Sequence, residues 1–265
     1  MSNPIFDRVN KRIDDGSFRT VSSVEDLDSL YNAPSATSRQ MGRLTVDDVV
    51  NRSFILFGLM LTFAAVTWFL LPRSLAALAM VGGVVLTLVL GLVIAFMKSV
   101  KPGLIVTFAV FEGLLVGGAS RIYSEFYDGA VVTAVVATVC VCAAMFFGWK
   151  SGVIKVTSRS RRFFMLALVG YLLFAVVNLV AAWVFNANGG WGLFGFGSGL
   201  SIAVSIIAVG LASYSFAVDL DSIDRAVEAQ APEKYSWLLA HGLLVTVVWL
   251  YLELLRLFAQ LYGRR

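Results

Sequence analysis

Five acidic residues stand where acidic residues are expensive. Glu112, Asp219, Asp221, Asp224 and Glu253 fall inside or at the edges of long apolar stretches. An ionisable group at membrane depth is a functional candidate by default. Hard cations take several carboxylate and carbonyl oxygens. Two or three acidic side chains without a dedicated loop make a weak Ca²⁺ site. Weak binding suits conduction, since an ion must leave as readily as it enters. Two close carboxylates also couple, and one shared proton makes a pH-sensitive latch. Each residue has a plainer reading too. Asp221 and Asp224 can be solvated at a helix end. Glu112 can bond a neighbouring helix. Glu253 can pair with Arg256 three residues on.

The other reactive side chains point to less. His241 is the one histidine. It has no histidine or cysteine companion, and a hydrogen-bonded core residue is the expectation. Cys140 and Cys142 are two apart, so on a helix they face different ways and are poor partners for a disulfide or a shared metal. No P-loop, dinucleotide fingerprint, HExxH or GxSxG string occurs. No enzymatic activity and no cofactor is expected.

Those residues need elements to position them, and the elements are legible. Apolar stretches cover Ser53–Leu71, Leu75–Met97, Gly103–Ala119, Gly129–Gly148, Phe163–Phe185, Ser198–Val218 and Trp237–Phe258. A bilayer core of about 30 Å needs roughly 20 apolar residues of helix. Backbone groups in lipid must bond internally, which leaves helices or a closed barrel. Period-two alternation is absent, which excludes the barrel. The expected fold is all-α and polytopic, with seven transmembrane helices. The chain has 265 residues, 58% hydrophobic and 14% charged. Its formal charge of +4 reads as loop cations that set topology, not as nucleic-acid binding.

Basic residues orient the bundle. Arg39, Arg43 and Arg52 precede the first span, Lys98 and Lys101 follow the second, and Lys150, Lys155, Arg159, Arg161 and Arg162 follow the fourth. The alternate loops hold Arg73 and Arg121. The positive-inside rule then predicts a cytoplasmic N-terminus in a multi-pass cell-membrane protein. Arg264 and Arg265 argue mildly against a C-terminus on the other side. Residues 1–52 read as a cytoplasmic, mostly disordered tail and 53–265 as the transmembrane domain. Thr45, with Asp48 three residues later, has the form of a capping box, so the first helix is expected to begin before the membrane. Gly113 and Gly117 form a small-xxx-small pair that admits a close neighbour.

Three strings carry a resemblance. The first is Ser215-Phe-Ala-Val-Asp219-Leu-Asp-Ser-Ile223, and the second is Leu250-Tyr-Leu-Glu253-Leu-Leu. The third is Thr107-Phe-Ala-Val-Phe-Glu112-Gly-Leu-Leu-Val-Gly117 with Tyr127-Asp128 after it. They resemble the Bax inhibitor (transmembrane Bax inhibitor motif) family, and Ser2-Asn-Pro-Ile-Phe6 resembles a bacterial subgroup of it. The resemblance implies seven helices, the seventh surrounded by the other six. It implies a pH-sensitive Ca²⁺ leak gated by a carboxylate pair, which falls on Asp219 and Glu253, with Asp221 and Glu112 as accessories. Some bacterial relatives are associated instead with a membrane-bound ATP-dependent protease as regulators. This chain departs from the pattern in three ways. Glu253 replaces an aspartate, the interval from Asp219 is longer, and no basic residue lies within Leu75–Met97. If helices six and seven mirror each other about a turn near Glu233–Ser236, Asp219 and Glu253 lie level.

Three functions compete. The first is a protonation-gated cation leak with Ca²⁺ and the bilayer as partners. The second is a non-transporting regulator of a membrane protease. An intramembrane aspartyl protease ranks last, because its Gly-x-Gly-Asp string is absent.

Overall fold

Seven α-helices carry the described residues. They are α1 Val46–Phe69, α2 Arg73–Phe96, α3 Pro102–Phe126, α4 Ala130–Lys150, α5 Ser158–Trp183, α6 Gly199–Glu228 and α7 Ser236–Tyr262. This computed structural model describes residues 41–189 and 192–263. The expectations for the tail before Met41, including Arg39, and for Arg264 and Arg265 lie outside the described residues. All seven helices are long and apolar enough to cross a membrane. No β-strand occurs among the described residues, only an isolated bridge between Arg43 and Pro232.

Local chemistry sets the helix starts. Thr45 and Asp48 form the expected capping box, with Asp48 N donating to Thr45 Oγ1 at 3.3 Å and Thr45 N to Asp48 Oδ2 at 3.1 Å. The first helix thus begins seven residues before its apolar stretch does. Pro102 occupies the first turn of α3, where a missing N–H costs nothing. Thr157 and Ser160 box the start of α5, and Ser198 caps α6.

Helices α3 and α7 form the centre. In their most apolar windows 61% and 56% of residues are buried, against 6% for α5. The sparse burial of the outer helices matches their lipid-facing apolar side chains, such as Leu166, Leu173 and Val177. α7 packs against α1, α3, α4 and α6. α2 packs on α3 and α1, and α5 on α6, with Tyr171 reaching from α5 to α7. Four of the other six helices thus pack on α7 directly, and α5 reaches it through Tyr171. Glycines permit the closest approaches. A Cβ on Gly113 or Gly117 would strike the α1 backbone at Met60 or Ala64, and one on Gly118 would lie 2.6 Å from Ala76 O on α2. The small pair in α3 therefore does seat a neighbouring helix.

One end of the bundle is stitched by backbone bonds. Leu44 N donates to Ala231 O at 2.8 Å and Glu233 N to Gly42 O at 2.9 Å. Arg52 pairs with Glu233 at 3.4 Å and lies 4.7 Å over the Trp237 ring. At the opposite end Arg121 donates to the Trp68 and Leu71 carbonyls, which closes the C-terminus of α1. Between α1, α3, α4 and α7 lies a cleft of about 490 Å³ lined by Phe57, Trp68, Val116, Val135 and Val248. Its lining is apolar, so the chemistry lies elsewhere.

Candidate functional site

The seam between α6 and α7 holds the acidic residues. α6 runs through Asp219, Asp221 and Asp224 to Glu228, ten residues beyond its apolar stretch. Charge interrupts hydropathy but does not interrupt the backbone ladder, so the helix continues. Asp219 faces Gly242 and Thr246 of α7. Thr246 Oγ1 donates to Asp219 Oδ2 at 2.5 Å, and the missing side chain of Gly242 leaves room beside Oδ1.

Glu253 sits two turns further along α7 and is 8% exposed. Its Oε1 accepts from Tyr171 Oη of α5 and from Trp249 Nε1, the latter at 3.2 Å. Its Oε2 is buried and has no partner among the described residues. No ion pair joins it to Arg256 among those residues. The carboxylate is thus held by two neutral donors, and no cation bonds it among the described residues.

The structure does not bring Asp219 and Glu253 together, and no hydrogen bond joins them. Thr246 and Glu253 are seven residues apart, roughly 10 Å of helix rise. The physical reason is where the turn falls. α6 ends at Glu228, Gln230 takes φ +51°, and Pro232 precedes a short 3₁₀ turn at Glu233–Tyr235. The hairpin therefore reverses near Ala231–Pro232, a few residues before the expected turn near Glu233–Ser236. Mirroring doubles that offset, so the residue level with Asp219 becomes Thr246 instead of Glu253.

The accessory carboxylates have separate settings. Asp221 Oδ2 lies 3.1 Å from Arg161 of α5 and 2.7 Å from Arg225, one turn along. Two guanidinium groups already occupy it, so it is a poor cation ligand. Glu112 is 7% exposed on α3, and among the described residues no hydrogen bond or ion pair joins it to the α6–α7 seam. One turn earlier on α3, Phe108 packs edge-on to His241 with ring centroids 4.4 Å apart. His241 is buried as expected, but its Nδ1 has no partner among the described residues.

A protein-family model described as Bax inhibitor 1 like matches residues 3–263. The chain belongs to the Bax inhibitor 1 like family. No curated protein matches it. Within this Bax inhibitor 1 like chain, sequence reasoning singled out both buried carboxylates on the seam but missed the groups that hold them. Thr246, Tyr171 and Trp249 are ordinary helix residues in an apolar run. One signal was available. Thr246, Glu253 and Gln260 recur at intervals of seven, which places them on one face of α7.

Proposed function

We propose that the protein is a pH-sensitive cation leak, with Ca²⁺ as its cargo, whose ion route follows the α6–α7 seam. The supporting observation is Glu253. A carboxylate buried at membrane depth with two neutral donors and one unpartnered oxygen is costly unless something uses it. A passing cation supplies the missing partner. Asp219 gives a second station nearer the stitched end, where Thr246 orients it.

In this reading the two carboxylates act in series, not as a touching pair. Ionised, they attract a cation; protonated, they do not. Flux is therefore greater where they are ionised than where they are protonated. The N-terminus lies in the cytoplasm, as the basic loops suggest, and the bundle in the cell membrane of a bacterium, as the resemblance of Ser2-Asn-Pro-Ile-Phe6 to a bacterial subgroup suggests. The protein is no enzyme and carries no resident cofactor.

Purified protein in liposomes loaded with a Ca²⁺ dye tests the reading. Flux above that of empty vesicles, greater at pH 8 than at pH 6, is expected. Flux equal to empty vesicles at every pH sinks it. That result leaves the regulator of a membrane-bound ATP-dependent protease, which needs its partner to show any effect.

A further inference from the structure

A second polar cluster lies on the seam, between Glu253 and the far end of the bundle. Gln260 of α7 is fully buried, and its Nε2 donates to Ser201 Oγ of α6 at 2.9 Å. Ser205 follows Ser201 by one turn on the same face and is also fully buried. Gln260 Oε1 and Ser205 Oγ have no hydrogen-bond partner among the described residues. Turning the Gln260 amide over does not help, because one of its two polar atoms stays unpaired either way. Two orphaned buried polar atoms in one helix–helix contact are expensive. They sit at the end of the seven-residue series Thr246, Glu253, Gln260. Each member of that series bonds a residue of a neighbouring helix: Asp219, Tyr171 and Ser201 in turn.

We propose that Ser201, Ser205 and Gln260 form a neutral-oxygen station for a partly hydrated cation, between Glu253 and the outer surface. This rests on the leak reading and extends it to a residue set outside the carboxylates. The chemistry fits a place of passage. Hydroxyl and amide oxygens replace part of an ion's water shell without the charge that would trap it. The unpaired atoms gain partners when the ion or its water arrives. Gln260 lies roughly 10 Å from Glu253 along α7, two turns of rise, so the station is separate from the carboxylate.

The test uses the full chain in liposomes, with Cys140→Ala and Cys142→Ala to remove the native thiols. Ser205→Cys is exposed to Ag⁺, a bare cation small enough for such a site, and residual thiol is counted after denaturation. Ala208→Cys, at an equally buried position on the same helix, is the dry control. Ser205→Cys is expected to react about tenfold faster than Ala208→Cys, and millimolar Ca²⁺ is expected to slow it severalfold, as for an occupied conduction site. Equal rates at the two positions overturn the station. So does fast reaction that Ca²⁺ leaves unchanged. Gln260→Leu, checked for an unchanged thermal melt, is expected to cut Ca²⁺ flux about tenfold. Wild-type flux in that variant overturns the station while the leak stands. Absent wild-type flux with Ca²⁺ protection at Ser205→Cys overturns the leak while the binding site stands.

Discussion

Thr246 Oγ1 stands 2.5 Å from Asp219 Oδ2, so a neutral hydroxyl of the central helix holds the α6 carboxylate. Thr246→Val keeps the shape and removes the donor. A buried acceptor left unpaired costs about 1–3 kcal/mol. The variant should melt several degrees lower in detergent, and its flux should respond to pH differently. Thr246→Ser should restore both. An unchanged melt and pH profile in Thr246→Val would show that the bond does not matter.

Tyr171→Phe deletes one of the two donors to Glu253 and leaves Trp249 Nε1 in place. The remaining donor alone holds the carboxylate less firmly in place. Flux near neutral pH should fall about fivefold, the factor that about 1 kcal/mol represents. Glu253→Gln removes the charge altogether and should cut flux further than Tyr171→Phe does. Because Asp219 and Glu253 have different partners, Asp219→Asn combined with Glu253→Gln should give effects that add. A double mutant no worse than either single variant would restore the touching pair.

Asp221→Asn should leave flux unchanged. Its carboxylate already faces Arg161 and Arg225, and a partly exposed ion pair of this kind contributes only about 1 kcal/mol to stability. A marked loss of flux in this variant, with an unchanged melt, would place Asp221 on the ion route.

Gly117→Ala tests the bundle itself. The added methyl meets the Ala64 carbonyl and lies 2.8 Å from Thr67 Cβ, both on α1. Overpacking of this kind costs about 1–3 kcal/mol. Gly58→Ala, whose Cβ meets nothing within 4 Å, should leave the melt unchanged. Equal melts for the two variants would contradict the close α1–α3 packing.

Much of this molecule is legible without coordinates, for definite reasons. Apolar length marks all seven α-helices among the described residues, because lipid leaves the backbone no alternative. Thr45 and Asp48 reveal the first helix start, because capping is a local bond. The end of α6 is not legible from hydropathy, since Asp219, Asp221 and Asp224 lower the apolar signal while the helix runs on. The partner of Asp219 is harder still. It depends on where a hairpin turns, and an error of a few residues at Gln230–Pro232 moves the partner by two turns. Tyr171 is harder again, because it comes from a helix far away in sequence and no local pattern links it to Glu253.

The backbone strap at Gly42, Leu44, Ala231 and Glu233 has a mechanical consequence. It ties the α6–α7 reversal to the segment entering α1, so that end of the hairpin is clamped. α6 and α7 then resemble the blades of shears riveted at Ala231–Pro232. A small angular opening at the rivet displaces Asp219 little, Glu253 more and Gln260 most. Any widening of the seam therefore begins as a gap at the Gln260 end and narrows toward the clamp.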